Sequence, residues 1–352
     1  MRRLSSVINL AMIAVLCSVM LPLFGAGVHA QNTADRTLIL GAGSTFAAPL
    51  YYAWIRSWTK NRPNVAMSYD AVGSGEGIKR FIAGSADFAG TDVPLTDKEF
   101  SKAQDRVLQI ASTAGMIVLA YNLPGFKGEL RLPRDLYPEI LAGKVRYWDD
   151  PRIQSANPNV RLPHRWIVVA ARLDSSGTTF ALSRHLAEIS RNWRDSGFGV
   201  GKLIDWRSAM LARGNEGVAQ LISISEGAIG YVEYGFAARL GLPMAILENK
   251  AGKFIAPTDA AGKATMAAAG DDVPDDLRTY LADPEGDESY PIITLSWLAL
   301  HEHYRNPAKA AALKEFIDWG LTEGQAFSTK LGYVPLPASL SDRSRQALSA
   351  TN

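Results

Sequence analysis

Three short loops of the sequence combine glycine with hydroxyl side chains, a composition suited to binding an anion. They are Gly43-Ser44-Thr45, Gly73-Ser74-Gly75 and Ser175-Ser176-Gly177-Thr178. Each follows an apolar run typical of a strand and precedes a stretch typical of a helix. Such turns offer unpaired helix N–H groups, glycine allows close backbone approach, and serine and threonine add hydroxyl donors. One such loop is most often a helix cap, but three at strand ends predict a shared anion site.

Two charged residues next to these loops refine the chemistry. Arg172 precedes the third loop, and its guanidinium can hold an oxyanion through two parallel N–H bonds. A salt bridge to Asp174 is the alternative role, and the two are compatible because Asp174 can orient Arg172. Asp92 follows a short predicted strand, and its carboxylate repels an anion unless that anion has a proton to donate. Capping a helix that starts near 95–97 is the alternative for Asp92.

Other catalytic and cofactor-binding patterns are weak or missing. Gly41-Ala42-Gly43 lacks the third glycine of a dinucleotide fingerprint, and there is no nucleotide P-loop. The Ser-x-x-Lys match at 57–60 lacks the companion motifs of penicillin-binding enzymes, and His301 and His303 are too close together for a zincin helix. We therefore predict no cofactor, no metal site and no catalytic machinery.

Residues 1–30 are predicted to be a cleavable signal peptide. Arg2 and Arg3 precede an apolar stretch over 7–24, and small residues end it at Ala30. An uncleaved membrane anchor is the alternative. The remaining chain keeps 35 basic and 35 acidic residues and loses Cys17, the one cysteine. Such a balanced, cysteine-free chain without basic runs is predicted to be exported to the periplasm and not to bind nucleic acid.

The elements that must position these residues follow an α/β pattern. Strands are predicted at 37–40, 65–71, 87–90, 116–121, 167–171 and 292–300, with helices at 49–60 and 78–83. The 352 residues suit two domains or one large one, and no internal period indicates a repeat protein.

Several ordered blocks together resemble the periplasmic phosphate-binding proteins of high-affinity phosphate ABC importers. The blocks are 41–49, 72–75, 87–95, 144–150, 172–180, 227–234 and 316–319, and they span nearly the whole chain after residue 30. The resemblance implies an α/β, two-lobed periplasmic-binding-protein fold of type II, with a mixed central sheet in each lobe and a ligand cleft at the hinge. It places 31–118 and 290–352 in lobe I and 119–289 in lobe II, with the strands at 116–121 and 292–300 as crossovers.

The resemblance also implies the ligand contacts. The residues carried over as phosphate ligands are Thr45, Phe46, Ser74, Asp92, Arg172, Ser176, Gly177 and Thr178. Asp174 is expected to pair with Arg172, and Asp92 to accept the phosphate proton. Three residues depart from the family pattern: Gly75 replaces a common serine, Ser175 replaces a common glycine, and Glu76 adds an acid beside the loop.

The leading hypothesis is therefore a binding protein that captures inorganic phosphate and passes it to an inner-membrane permease of an ABC importer. The free protein is expected to be a monomer. A receptor for sulfate, molybdate or tungstate is one alternative, although Asp92 disfavours anions without a proton. A secreted phosphatase-like enzyme using Ser74 or Ser176 as nucleophile is another, and an exported adhesion or surface protein is a third.

Overall fold

The structure is a computed structural model that describes residues 36–269, 273–274 and 276–351. The predicted signal peptide at 1–30 lies outside these residues. From Arg36 onward the chain forms one unit. None of the helices in the described ranges has the length and apolar character that a membrane span needs.

Strands and helices largely alternate along the chain, as the sequence pattern predicts. The strands are β1 (Thr37–Gly43), β2 (Val65–Ala71), β3 (Phe88–Thr91), β4 (Val107–Tyr121), β5 (Arg131–Leu132), β6 (Val168–Arg172), β7 (Met210–Ala212), β8 (Ala228–Glu233), β9 (Ile246–Glu248), β10 (Phe254–Ile255) and β11 (Ile293–His301). The helices are α1 (Ala48–Thr59), α2 (Ser74–Ile82), α3 (Asp97–Phe100), α4 (Tyr137–Leu141), α5 (Pro151–Ala156), α6 (Gly177–Ile189), α7 (Arg191–Arg194), α8 (Gly214–Ile224), α9 (Tyr234–Arg239), α10 (Asp259–Ala269), α11 (Pro307–Leu321), α12 (Ala326–Leu331) and α13 (Ala338–Leu348).

A curled mixed sheet organises the molecule. Its strand order is β2-β1-β3-β11-β4-β8-β6-β7, and a small sheet of β10, β9 and β5 lies apart from it. β1 is parallel to β2 and β3, and β6 is parallel to β7 and β8, whereas β11 and β4 run antiparallel to their neighbours. The loops that follow the carboxyl ends of β1, β2 and β3 therefore lie in a common region, and so do those that follow β6, β7 and β8.

The long strand β4 joins the two halves of this sheet. Its residues up to Met116 pair with β11, and from Ile117 onward it pairs with β8. We call β2, β1, β3, β11 and residues 107–116 of β4 the first half-sheet, and residues 117–121 of β4 with β8, β6 and β7 the second half-sheet. The prediction of a strand at 116–121 captured only the end of β4.

Aromatic side chains of α1 anchor the first half-sheet. Trp54 and Trp58 are almost fully buried, and both pack edge-on against Phe316 of α11. The spacing of the two tryptophans places them on one face of α1, as expected for an amphipathic helix. The indole N–H of Trp54 donates to the carbonyl of Gly324 at 2.8 Å, so this buried polar group is satisfied. These contacts fix the helix that follows the first glycine loop.

Candidate functional site

The three glycine–hydroxyl loops meet in one buried cluster. Thr45 follows β1, Ser74 begins α2, and Ser176 caps α6 by accepting from the N–H of Thr179 at 3.1 Å. Gly43 has a φ of +137°, and a Cβ there would lie 2.1 Å from the carbonyl oxygen of Gly90, so only glycine fits. The first two loops come from the first half-sheet and the third from the second, so the cluster spans both halves.

Asp92 lies inside this cluster and is buried. Its Oδ1 accepts hydrogen bonds from the hydroxyls of Ser44 at 2.5 Å and Ser296 at 2.6 Å. Its Oδ2 accepts only a longer bond, from Ser74 at 3.3 Å, among the described residues. Oδ2 therefore keeps capacity to accept a proton donor from a ligand. The alternative role as a helix cap is wrong, because Thr96 caps α3 through a capping box with Glu99.

Burial raises the pKa of Asp92 from 3.8 to about 6. The hydrogen bonds from Ser296 and Ser44 and the charge of Arg172 act in the opposite direction and limit the rise. At neutral pH the carboxyl group is therefore ionised but close to its titration range. Below about pH 6 it carries a proton and changes from acceptor to donor.

Arg172 and Asp174 form a buried bidentate pair. Nε of Arg172 donates to Oδ1 of Asp174 at 2.8 Å, and Nη2 donates to Oδ2 at 2.5 Å. Burial acts to raise the pKa of Asp174, but the hydrogen bonds and charge of Arg172 outweigh it and hold that pKa below its usual value. Nη1 of Arg172 donates to the hydroxyl of Thr178 at 3.3 Å. Two of the five guanidinium N–H donors therefore have no partner in the described part of the chain.

Asn215 connects the two sides of the cluster. Its backbone N–H and its side-chain amide both donate to Oγ1 of Thr45, at 3.2 and 3.0 Å, and the amide also donates to Oγ1 of Thr178 at 3.3 Å. Its Oδ1 accepts from the N–H of Glu233 at 3.0 Å, which fixes the amide orientation. Because both threonine hydroxyls act as acceptors here, their own protons are left to donate to a ligand.

Gly177 and Phe46 bring backbone groups to the same place. A Cβ at Gly177 would lie 2.6 Å from Oγ of Ser74 and 2.7 Å from Cβ of Asp92, so a side chain would push the two halves apart. Phe46 is fully buried, and its carbonyl accepts from the hydroxyl of Tyr333 at 2.6 Å. Within the described ranges the N–H groups of Thr45 and Phe46 have no protein partner, so they remain available to an anion.

All the predicted site residues are thus brought together, and three more join them. The additional residues are Ser44, Ser296 and Asn215. Ser296 and Thr294 are hydroxyl residues in the mostly apolar, buried strand β11. A serine at such a position is the sequence signal from which Ser296 could have been predicted as a site residue. Glu76, in contrast, forms ion pairs with Arg80 and Lys79 on the outer side of α2 and does not hydrogen-bond to the cluster.

Glu233 ends β8 and is buried beside the cluster. Its Oε1 accepts from the N–H of Gly235 at 2.7 Å, and its Oε2 has no hydrogen-bond partner among the described residues. Burial raises the pKa of Glu233 to about 8, although the bond from Gly235 lowers it. The folded protein therefore retains a proton that the unfolded chain has released between about pH 4.5 and pH 8, so stability falls as pH rises through that range.

Replacing Glu233 by glutamine is expected to remove this pH dependence. The amide keeps the acceptor for Gly235 but does not ionise, so its stability relative to wild type should grow by roughly 1 kcal/mol per pH unit between about pH 5 and pH 8. Urea unfolding of both proteins across this range measures the difference. Glu226→Gln, at an exposed ion pair with Arg165, is the matched control. Parallel pH profiles for Glu233→Gln and wild type would contradict the assignment.

The cluster is equipped to hold a small tetrahedral anion. It presents a guanidinium, hydroxyl protons and backbone N–H groups around one carboxylate acceptor. No group of side chains in the described residues has the composition of a metal site. The arrangement therefore supports binding through hydrogen bonds and one fixed positive charge.

Comparison with known proteins defines the class first. A family model described as a PBP superfamily domain matches residues 28–323. The fold resembles a phosphate-binding protein from Stenotrophomonas maltophilia, with a TM-score of 0.71, 19% identity, and coverage of 88% of this chain and 94% of that one. It also resembles a putative phosphate ABC transporter substrate-binding protein from Clostridium perfringens, with a TM-score of 0.60, 18% identity, and coverage of 86% and 100%. The mixed α/β fold of a periplasmic binding protein is thereby confirmed.

Two curated relatives narrow the class to a family. The phosphate-binding protein PstS of Pasteurella multocida (strain Pm70) is 35% identical, and the match covers 92% of each chain. The phosphate-binding protein PstS of Methanocaldococcus jannaschii is 36% identical, with coverage of 93% of this chain and 89% of the relative. The chain belongs to the PstS family of phosphate-binding proteins, which confirms the resemblance found in the sequence.

Proposed function

We propose that this protein captures inorganic phosphate in the buried cluster and delivers it to an ABC importer. The observation that carries the proposal is a carboxylate with a free acceptor position, Asp92, enclosed with Arg172 among hydroxyl and backbone donors. A proton-bearing tetrahedral oxyanion satisfies both kinds of group at once. Membership of the phosphate-binding family supports the same ligand.

The contacts we assign to phosphate come from both halves of the sheet. The first half contributes Thr45, Phe46, Ser74 and Asp92, and the second contributes Arg172, Ser176, Gly177 and Thr178. Asp174 orients Arg172, and Asn215 orients the hydroxyls of Thr45 and Thr178. Asp174 and Asn215 lie in the same lobe as Arg172 and Thr178, so these two donors are fixed before the ligand arrives, whereas the bonds from Asn215 to Thr45 form when the lobes close.

The lobes we propose are 31–118 with 290–352, and 119–289. β4 changes its pairing partner between Met116 and Ile117, and the N–H of Ile117 donates to the carbonyl of Ile292 at 2.9 Å. The two crossing segments therefore lie side by side, which is the arrangement a hinge requires. Rotation about this pair would open the cluster to solvent, and closure would enclose the anion.

An ion pair bridges the two lobes outside the cluster. Nζ of Lys202 lies 2.5 Å from Oε1 of Glu99, and both side chains are largely shielded from solvent. The carbonyl of Lys202 also accepts from the N–H of Ser176 at 2.7 Å. The pair therefore connects α3 of one lobe to a loop of the other lobe that hydrogen-bonds to the N-cap of α6, and it stabilises the closed form.

Replacing Lys202 by methionine is expected to weaken phosphate binding about fivefold, since a partly buried ion pair contributes about 1 kcal/mol. At high salt the phosphate affinity of wild type should approach that of Lys202→Met, because screening weakens the ion pair. Calorimetric titration at two ionic strengths measures both effects. Lys250→Met, at the exposed pair with Glu285, is the control and should bind as wild type does. An affinity of Lys202→Met equal to that of wild type would show that the ion pair does not stabilise the closed form.

We propose that the protein works outside the cytoplasm, after export by the predicted signal peptide, and as a monomer when free. Its partner would be the inner-membrane permease of a phosphate ABC importer. We propose a binding role and not catalysis, because the matching relatives are phosphate-binding proteins and the hydroxyl of Ser176 is engaged in capping a helix. The other candidate nucleophile, Ser74, hydrogen-bonds to Asp92. Hydrolysis of a chromogenic phosphate ester by the purified protein would instead support the enzyme alternative.

Phosphate released when the purified protein is unfolded provides the test. We expect close to one phosphate per chain after extensive dialysis in phosphate-free buffer, because closure slows release. Refolding and a second dialysis should then give a phosphate-free sample. A sample without phosphate, which also fails to take it up on incubation, would contradict the proposal.

A further inference from the structure

Gly75 and Ser175 lie against each other across the cleft. The N–H of Gly75, in the first turn of α2, donates to the carbonyl of Ser175 at 3.0 Å. A Cβ placed on Gly75 would lie 2.0 Å from Oγ and 2.5 Å from Cβ of Ser175. The space that a side chain at 75 would need is therefore occupied by the side chain at 175.

This contact continues along neighbouring backbone. A Cβ on Gly73 would lie 2.5 Å from Oδ2 of Asp174 and 2.8 Å from the carbonyl oxygen of Ser175. We call residues 73–75 together with 174–175 the seam. The seam lies between the cluster, where Ser74 is fully buried, and an open groove of about 1410 Å³ that Gly75 and Ser175 both line. The seam thus covers part of the cluster on the groove side, where Thr45 also lines the groove.

We propose that Gly75 and Ser175 are a matched pair that sets how completely the cleft closes over its anion. The proposal rests on the phosphate-binding function and adds two positioning residues to it. A serine at 175 requires a glycine at 75, because both side chains compete for one space between the lobes.

The pair acts on the equilibrium between open and closed forms. A side chain at 75 collides only when the lobes are closed, so it lowers the closed fraction without changing any group that touches the ligand. The apparent affinity falls in proportion to that fraction, and release becomes faster. Gly75 lies in a helix and does not have a positive φ, so serine is compatible with its backbone and the variant should fold.

The test is a double-mutant cycle of Gly75→Ser, Ser175→Gly and both together. We expect Gly75→Ser to raise the Kd for phosphate about tenfold or more, with a faster release rate, and the double variant to return to within about threefold of wild type. Ser175→Gly alone should change the Kd little. Gly75→Ser with wild-type affinity, or a double variant no better than Gly75→Ser, would overturn the proposal.

A second readout measures closure of the lobes directly. The chain after residue 30 has no cysteine, so spin labels can be attached at Lys79→Cys on α2 and Gln220→Cys on α8, which line opposite walls of the groove. Gly75→Ser should shift the label–label distance distribution to longer values, and the double variant should restore it. The distances are measured without and with saturating phosphate, and the shorter distances report the closed form. A Gly75→Ser variant that closes on phosphate as fully as wild type would refute the pair, whereas a wild type that neither binds phosphate nor closes would contradict the proposed function.

Discussion

Replacing Arg172 by alanine is expected to lower phosphate affinity about a thousandfold. The residue is 2% exposed, and two of its N–H donors have no partner among the residues that the structure describes. The substitution removes charge-assisted bonds to the ligand and leaves the unpaired carboxylate of Asp174 near the anion. Truncating one partner of a buried charge pair in a complex typically costs about 2–5 kcal/mol of binding free energy. Isothermal titration with phosphate measures the loss.

Two further variants separate the causes of this loss. Arg172→Ala combined with Asp174→Ala removes the unpaired charge, so any weakening that remains belongs to lost contacts with the anion. Arg62→Ala, which breaks a partly exposed pair with Glu315, should leave the affinity unchanged. A double variant that binds phosphate as wild type does would show that Arg172 serves only to neutralise Asp174.

Replacing Asp92 by asparagine is expected to make sulfate a good ligand. At neutral pH wild type should prefer phosphate by at least about a thousandfold, because sulfate has no proton for Oδ2 and faces an unpaired carboxylate. Asparagine has nearly the same shape and can donate its amide N–H to a sulfate oxygen. The variant should therefore bind sulfate within roughly tenfold of phosphate.

The pH dependence of sulfate binding tests the same prediction independently. Since burial raises the pKa of Asp92 to about 6, wild type should begin to bind sulfate as pH falls from 8 to 5, when the carboxyl group gains a proton and can donate it. Asp92→Asn should lack this dependence. Asp97→Asn, at a largely exposed residue, is the control. Equally weak sulfate binding by Asp92→Asn and wild type would show that Asp92 does not select the ligand by accepting its proton in a hydrogen bond.

Local patterns were sufficient for much of the fold. The strand predicted at 65–71 coincides with β2, and the helix predicted at 49–60 differs from α1 by one residue at each end. These elements carry their own periodicity and turn residues. β4 was underestimated because its first part, from Val107, contains Gln109, Ser112 and Thr113, whose burial depends on partners elsewhere in the chain.

The candidate site could be predicted only where the residues lie in contiguous motifs. Ser296 was not predicted as a site residue because it lies 204 residues from Asp92 in the sequence. The two come together through the pairing of β11 with β3. Asn215 is similarly remote from Thr45. The fit of Gly75 against Ser175 is a contact between two lobes, and neither residue alone indicates it.

The most direct measurement is calorimetric titration of the refolded, phosphate-free protein with phosphate and, separately, with sulfate at neutral pH. We predict one phosphate per chain with a Kd in the micromolar range or below, corresponding to about −8 kcal/mol or tighter, and no measurable sulfate binding. Sulfate bound as tightly as phosphate, or no heat with either anion, would contradict capture of a protonated oxyanion between the lobes.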